Sequence, residues 1–172
     1  ASPAETFPSL FINQALATPS SVAVVDKSGH YTYNELNRLS CCIATKLIDL
    51  GVNESMNVCV MLDYQREFLA AALGVERAGA CYVPINSETP SQRLLYMIAD
   101  SDSAFLITSH QTYENIKDAL SHEKVVVLFI EDLIQDSLEC KQQDLCVDKS
   151  SLDGIAYMIY TSGSTGKPKG VM

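Results

Sequence analysis

Positive charge is scarce in this sequence. The 172 residues hold 12 Lys and Arg against 21 Asp and Glu, a net charge of −9. A nucleic-acid partner would call for a basic stripe, so none is expected. No two cysteines stand in CxxC spacing; the six are Cys41, Cys42, Cys59, Cys81, Cys140 and Cys146. Four of them fall inside apolar helix or strand patterns, where a thiol behaves as a small hydrophobe. Reduced thiols are therefore expected, a usage that suits a cytoplasmic protein. Histidine is rarer still: His30, His110 and His122 are scattered over turns and helix ends, which argues against zinc. No apolar run approaches the length of a membrane span. Ala1 to Pro8 has neither a basic end nor a long apolar stretch, so no signal peptide is expected. Internal repeats and low-complexity segments are absent. What remains is an ordinary globular composition, 47% hydrophobic with 8 Gly and 6 Pro. A chain of this length buries roughly 70% of its unfolded surface.

The apolar periodicity predicts strands alternating with helices, an α/β fold with a largely parallel sheet flanked by helices. A helix is expected over 7–17, stopped by Thr18-Pro19. Strands at 22–26 and 31–33 read as a hairpin turning through Lys27-Ser28-Gly29-His30. Thr32 and Glu35 form a capping box for a helix carrying Leu36, Leu39, Ile43, Leu47 and Ile48, closed by Gly51. A strand at 57–62, a helix at 64–77 ended by Gly79, and a strand at 80–85 follow. Thr89-Pro90-Ser91-Gln92 reads as a second capping box with Pro at the first helical position, its helix ending near Asp102. Strands at 104–108 and 125–130 flank a helix at 112–120. The acids between Glu131 and Asp153 read as a solvated excursion with a short helix around Leu133, not as a metal site.

The chemistry concentrates near residue 160. An apolar run, Ile155 to Tyr160, predicts a buried strand. It empties into Thr161-Ser162-Gly163-Ser164-Thr165-Gly166-Lys167-Pro168-Lys169-Gly170. Glycines tolerate positive φ and leave no Cβ in the way. Successive N–H groups in such a turn form an anion-binding concavity. Ser162, Ser164 and Thr165 add hydroxyl donors, and Lys167 and Lys169 add charge. Each hydrogen bond to a charged group is worth about 1.5–3 kcal/mol net, so a few together can hold a triphosphate. From Tyr160 to Met172 there are two lysines and no acid, so the local field is positive in an acidic chain. A Walker A loop is excluded: it needs a Gly where Thr161 stands and Ser or Thr where Pro168 stands. A flexible Gly/Ser linker does not account for two lysines around a proline directly after an apolar strand.

The run Tyr160 to Gly170 resembles the phosphate-binding motif of the AMP-forming adenylating enzymes, Tyr-Thr-Ser-Gly-Ser/Thr-Thr-Gly-x-Pro-Lys-Gly, and matches it throughout. That superfamily comprises acyl-CoA synthetases, luciferases and peptide-synthetase adenylation domains. Two weaker resemblances precede it in the family's order. Tyr31 to Leu36 is similar to Leu-Thr/Ser-Tyr-x-Glu-Leu. Glu76 to Asn86 is similar to Lys-Ala-Gly-x-Ala-Tyr-Leu/Val-Pro-Leu/Ile-Asp, with Arg77 for Lys, Cys81 for the small residue before Tyr82, and Asn86 for Asp.

The resemblance implies that residues 1–172 are the N-terminal portion of one adenylation domain, ending just after the phosphate loop. It implies activation of a carboxylate by ATP as an acyl-adenylate, with Mg2+, and release of pyrophosphate. Ser164-Thr165 and Pro84-Ile85-Asn86 lean toward the peptide-synthetase branch, hence an amino acid passed to a carrier-protein phosphopantetheine thiol. The implied roles are phosphate binding by Thr161, Ser162, Gly163, Ser164, Thr165, Gly166 and Lys167, with Lys169 at the family's fixed lysine. The family's ribose, substrate-pocket and metal-binding residues have no counterpart before Met172, so the piece alone is expected to be inactive. An acyl-CoA or aryl-acid ligase, a non-catalytic nucleotide-binding module, and a kinase-like phosphate binder remain as alternatives.

Overall fold

The computed structural model describes residues 5–140, 147–151, 159–162 and 168–171, the last two stretches as main chain only. Its elements, in chain order, are α1 Phe7–Ala17, β1 Val22–Asp26, β2 Gly29–Thr32, α2 Tyr33–Asp49, β3 Asn57–Met61, α3 Gln65–Arg77, β4 Cys81–Pro84, α4 Ser91–Asp100, β5 Phe105–Thr108, α5 His110–Leu120, β6 Val126–Phe129, α6 Ile130–Ser137, β7 Ile159–Ser162 and β8 Pro168–Val171.

Four strands make a parallel sheet in the order β4-β3-β5-β6. Side chains alternate across a strand, and the alternation divides this sheet between two cores. Val58, Val60, Phe105 and Ile107 face the larger one, with Phe11 and Ile12 of α1, Leu36 and Ile43 of α2, Ala70 and Leu73 of α3, and Ile130 and Leu133 of α6. Cys59, Met61 and Leu106 face the other, with Leu94, Met97 and Ile98 of α4 and Ile116 and Leu120 of α5. Burial on both faces explains why these strands read as continuous apolar runs. No helix of the described residues is long and apolar enough to cross a membrane.

Local signals place several boundaries. Thr32 accepts from the Glu35 N–H at 3.1 Å and Glu35 accepts from the Thr32 N–H at 2.9 Å, the reciprocal capping box. Gly51 and Gly79 adopt φ of 95° and 87°, the left-handed values that end α2 and α3. Arg66 at the start of α3 ties down the β1–β2 hairpin. Its main-chain N–H donates to Asp26 Oδ2 at 2.9 Å, its Nε to Ser28 Oγ at 3.0 Å, and its guanidinium lies 4.7 Å from the Tyr31 ring centroid.

Other boundaries differ from expectation. The hairpin turns through Lys27 and Ser28 alone, because Asp26 Oδ1 accepts the Ser28 N–H at 2.8 Å and closes a tighter turn. No capping box forms at Thr89. The Thr89 N–H bonds the Asn86 carbonyl at 3.0 Å, and Pro90 is extended with ψ of 150°, so the helix begins at Ser91 with no side-chain cap. Ser109 accepts the Thr112 N–H at 3.1 Å and starts α5 two residues early. The acidic excursion is only partly solvated: Leu133 and Ser137 are buried, and Val147 packs against the larger core. Cys41, Cys42, Cys59, Cys81 and Cys140 are thiols, not disulfides; Cys146 lies outside the described residues.

Candidate functional site

Among the described residues, the strand before the phosphate loop is not part of the parallel sheet. β7 pairs antiparallel with β8 as a separate two-stranded unit. The chain returns from the loop as a second strand, β8. Pro168 lacks an N–H and disfavours the helical region for the residue before it, so this stretch resists helix and accepts extension. Residues 155–158 of the expected strand lie outside the described residues. The described residues on either side of the loop thus pair with each other as a hairpin.

The register sets the base of that loop. Ile159 is opposite Val171, Tyr160 opposite Gly170, Thr161 opposite Lys169, and Ser162 opposite Pro168. Three of the expected site residues, Thr161, Ser162 and Lys169, therefore stand together on the last two rungs of the ladder. Gly163, Ser164, Thr165, Gly166 and Lys167 lie outside the described residues. β7 lies beside β4, and β8 beside α4.

A strap of chain, residues 147–151, precedes this hairpin and crosses the end of α3. Arg77, in the last turn of α3, is fully buried. Its Nε donates to the Val147 carbonyl at 2.7 Å. Its Nη1 donates to Asn37 Oδ1 at 2.7 Å, to Ser40 Oγ at 2.9 Å and to the Asn37 carbonyl at 3.1 Å. Its own carbonyl accepts the Lys149 N–H at 2.6 Å. Asn37 and Ser40, themselves buried on α2, are the partners that make a buried guanidinium tolerable. The sequence motif marks Arg77 only as a substitute for a family lysine. The signal that singles it out is a basic residue following the apolar stretch Phe68 to Val75, opposite two polar positions on the buried face of α2.

Beside the strap, burial and then the nearby Asp148 charge push the Glu76 carboxyl up to about 7. No group of three His, Cys, Asp or Glu residues suited to a metal ion occurs among the described residues.

The geometry is a strand, a connection whose sequence is rich in Gly and hydroxyls and holds Lys167, and a returning strand that carries Lys169, beside a parallel α/β sheet. Compared with known proteins, the sequence matches the AMP-binding enzyme family over residues 11–172. The chain belongs to that family. Among its relatives, bacitracin synthase 3 of Bacillus licheniformis is 37% identical over 174 residues, covering 99% of this chain and 2% of that protein. Zwittermicin A synthase ZmaJ of Bacillus cereus is 38% identical over 164 residues, covering 95% of this chain and 30% of that protein. The chain thus spans less than a third of either relative's length. The solved structure of the nonribosomal peptide synthetase FmoA3 in its alpha-methyl-L-serine-AMP bound form superposes with a TM-score of 0.83 at 27% identity. That superposition covers 98% of this chain and 18% of the FmoA3 chain.

Proposed function

We propose that this chain is the N-terminal portion of one adenylation domain, and that the whole domain activates an amino acid with ATP. A carboxylate oxygen attacks the α-phosphorus, the bond from that phosphorus to the bridging oxygen breaks, and pyrophosphate leaves. The sulfur of a carrier protein's phosphopantetheine thiol then attacks the acyl carbon, the bond from that carbon to the phosphate oxygen breaks, and AMP leaves. The observation that carries the reading is the unbroken motif match from Tyr160 to Gly170, placed on a hairpin. The likeness to the peptide synthetase FmoA3, and the alpha-methyl-L-serine-AMP bound in it, favour an amino acid over other carboxylates.

The attack brings negative charges together, and oriented donors offset that repulsion where it develops. The hydroxyls of Thr161, Ser162, Ser164 and Thr165 and the main chain of Gly163 and Gly166 hold the β- and γ-phosphates. Lys167 and Lys169 supply positive charge, and Lys169 carries the greater share because it stands at the family's fixed lysine. Bound with ATP, Mg2+ would offset charge on the phosphates. Residues 1–172 alone do not complete the reaction.

ATP–pyrophosphate exchange by the full-length parent protein tests this. Lys169→Ala is expected to lower exchange about 100-fold or more, the scale of removing one donor from a developing charge. Lys167→Ala is expected to cost far less. Equal and mild effects of the two would overturn the assignment.

A further inference from the structure

The Arg77 network is polar where packing asks for apolar residues. It places a guanidinium, an amide and a hydroxyl in the seam between α2 and α3, all at most 1% exposed. Well-packed apolar residues in such a place are often neutral or stabilising relative to a buried charged network. Stability does not require this arrangement. What it does, and an apolar seam cannot, is hold the main chain of a distant segment.

That hold is doubled. The side chain of Arg77 takes the Val147 carbonyl and its main chain takes the Lys149 N–H. Two residues on, Gly79 fits under the strap: a Cβ there would lie 3.0 Å from the Lys149 carbonyl oxygen. At the strap's far end the Ser150 hydroxyl lies 2.8 Å from Thr6 Oγ1 of α1's cap. Two routes to the hairpin diverge from Arg77. One runs through Ala78 to Ala80 into β4, which lies beside β7. The other is the strap, the last described stretch before β7.

We propose that Arg77 is a positioning residue for the β7–β8 hairpin. By fixing the strap against the corner that launches β4, it sets where the hairpin stands, and with it Thr161, Ser162 and Lys169, which the adenylation reading assigns to the phosphates of ATP. This rests on the adenylation reading for its ligand, but the tether can be measured without it.

The experiment compares Arg77→Met and Arg77→Lys in the full-length parent protein, with Thr32→Ala, whose cap bonds with Glu35 do not involve the strap, as a destabilised control. Lysine keeps the charge but lacks the planar fork that serves Val147 and Asn37 together. Hydrogen exchange of the 159–162 and 168–171 amides, without ATP, reads the tether directly. Arg77→Met is expected to speed it about tenfold or more relative to Thr32→Ala, with Arg77→Lys between. The KM for ATP is expected to rise about tenfold in Arg77→Met while the KM for the carboxylate changes less than about threefold. Wild-type exchange in the hairpin, with only a lowered melting temperature, would overturn the proposal. Should Arg77→Met fail to fold, wild-type hairpin exchange in Arg77→Lys would overturn it equally. A wild-type parent without ATP–pyrophosphate exchange would fail the functional reading, and hydrogen exchange would then decide the tether by itself.

Discussion

Replacing Gly74 by alanine tests the closest contact between α2 and α3. A Cβ at this position would lie 2.6 Å from Ile43 Cγ2, 2.7 Å from Ile43 Cβ and 3.0 Å from the Ser40 carbonyl oxygen. Ordinary carbon contacts begin near about 3.5 Å, so the helices must part by roughly 0.7–1 Å. Two of the three obstructing atoms are a Cβ and a main-chain oxygen, which cannot swing aside. Overpacking of this kind costs about 1–3 kcal/mol, and the rigid obstruction points to the upper end. Parting the helices also stretches the bonds from Arg77 to Asn37 and Ser40, one turn away. Against this, alanine in a helix interior gains about 1 kcal/mol over glycine. The expected net loss for Gly74→Ala is about 2 kcal/mol. Equilibrium urea denaturation with an unchanged slope would show it as a lowered midpoint. The sign decides: a glycine kept for no steric reason would give a protein about 1 kcal/mol more stable as alanine, and that result refutes the contact. Gly51→Ala is the matched comparison. It has nothing within 4 Å but sits at φ of 95°, so it tests backbone strain without crowding.

Thr32→Ala removes the cap of α2 and is expected to cost about 1 kcal/mol in the same denaturation assay, with Thr32→Ser restoring most of it. Glu76, raised to about 7 from an ordinary 4.5, stays protonated in the folded state over a range where the unfolded carboxyl has ionised. Stability is therefore lost as pH rises from 4.5 through about 7, and Glu76→Gln is expected to flatten that slope; parallel midpoint-versus-pH curves would contradict it. Burial pushes the thiols of Cys41, Cys42, Cys59 and Cys81 up to about 11. At pH 8 only about one such thiol in a thousand is ionised, so a thiol reagent should label them slowly in native protein and count all six cysteines after denaturation without reductant. Fast native labelling of Cys59, or a denatured count of four or fewer, would be the contrary result.

The elements legible in the sequence are those whose cause is local. Thr32 and Glu35 are three residues apart and satisfy each other. The runs Val58 to Met61 in β3 and Phe105 to Ile107 in β5 are apolar without a break because two separate cores claim alternate residues. What the sequence left hidden is set across distance. Nothing near Arg77 announces that Val147 is its partner. The boundary at Pro90 departs from its capping signal because Asn86 and Thr89 close a turn that competes with the cap. The phosphate loop itself was legible as a string of donors and charges. Its support was not: an apolar run such as 155–160 fits a parallel or an antiparallel neighbour equally well, and only the pairing with Pro168–Val171 separates the two.

The hairpin register also turns the length of the loop into a heritable constraint. Ser162 is opposite Pro168, so five residues span the gap. If a lineage inserts one residue and the gap keeps its size, the ladder slips and Lys169 comes to stand opposite Tyr160. Deleting one residue moves it opposite Ser162. Because the strand repeat is two residues, either slip exchanges the two faces of β8. Insertions and deletions in this loop should therefore be purged more strictly than substitutions at its variable position, where Lys167 stands. Length, and not only composition, is what descent must preserve here.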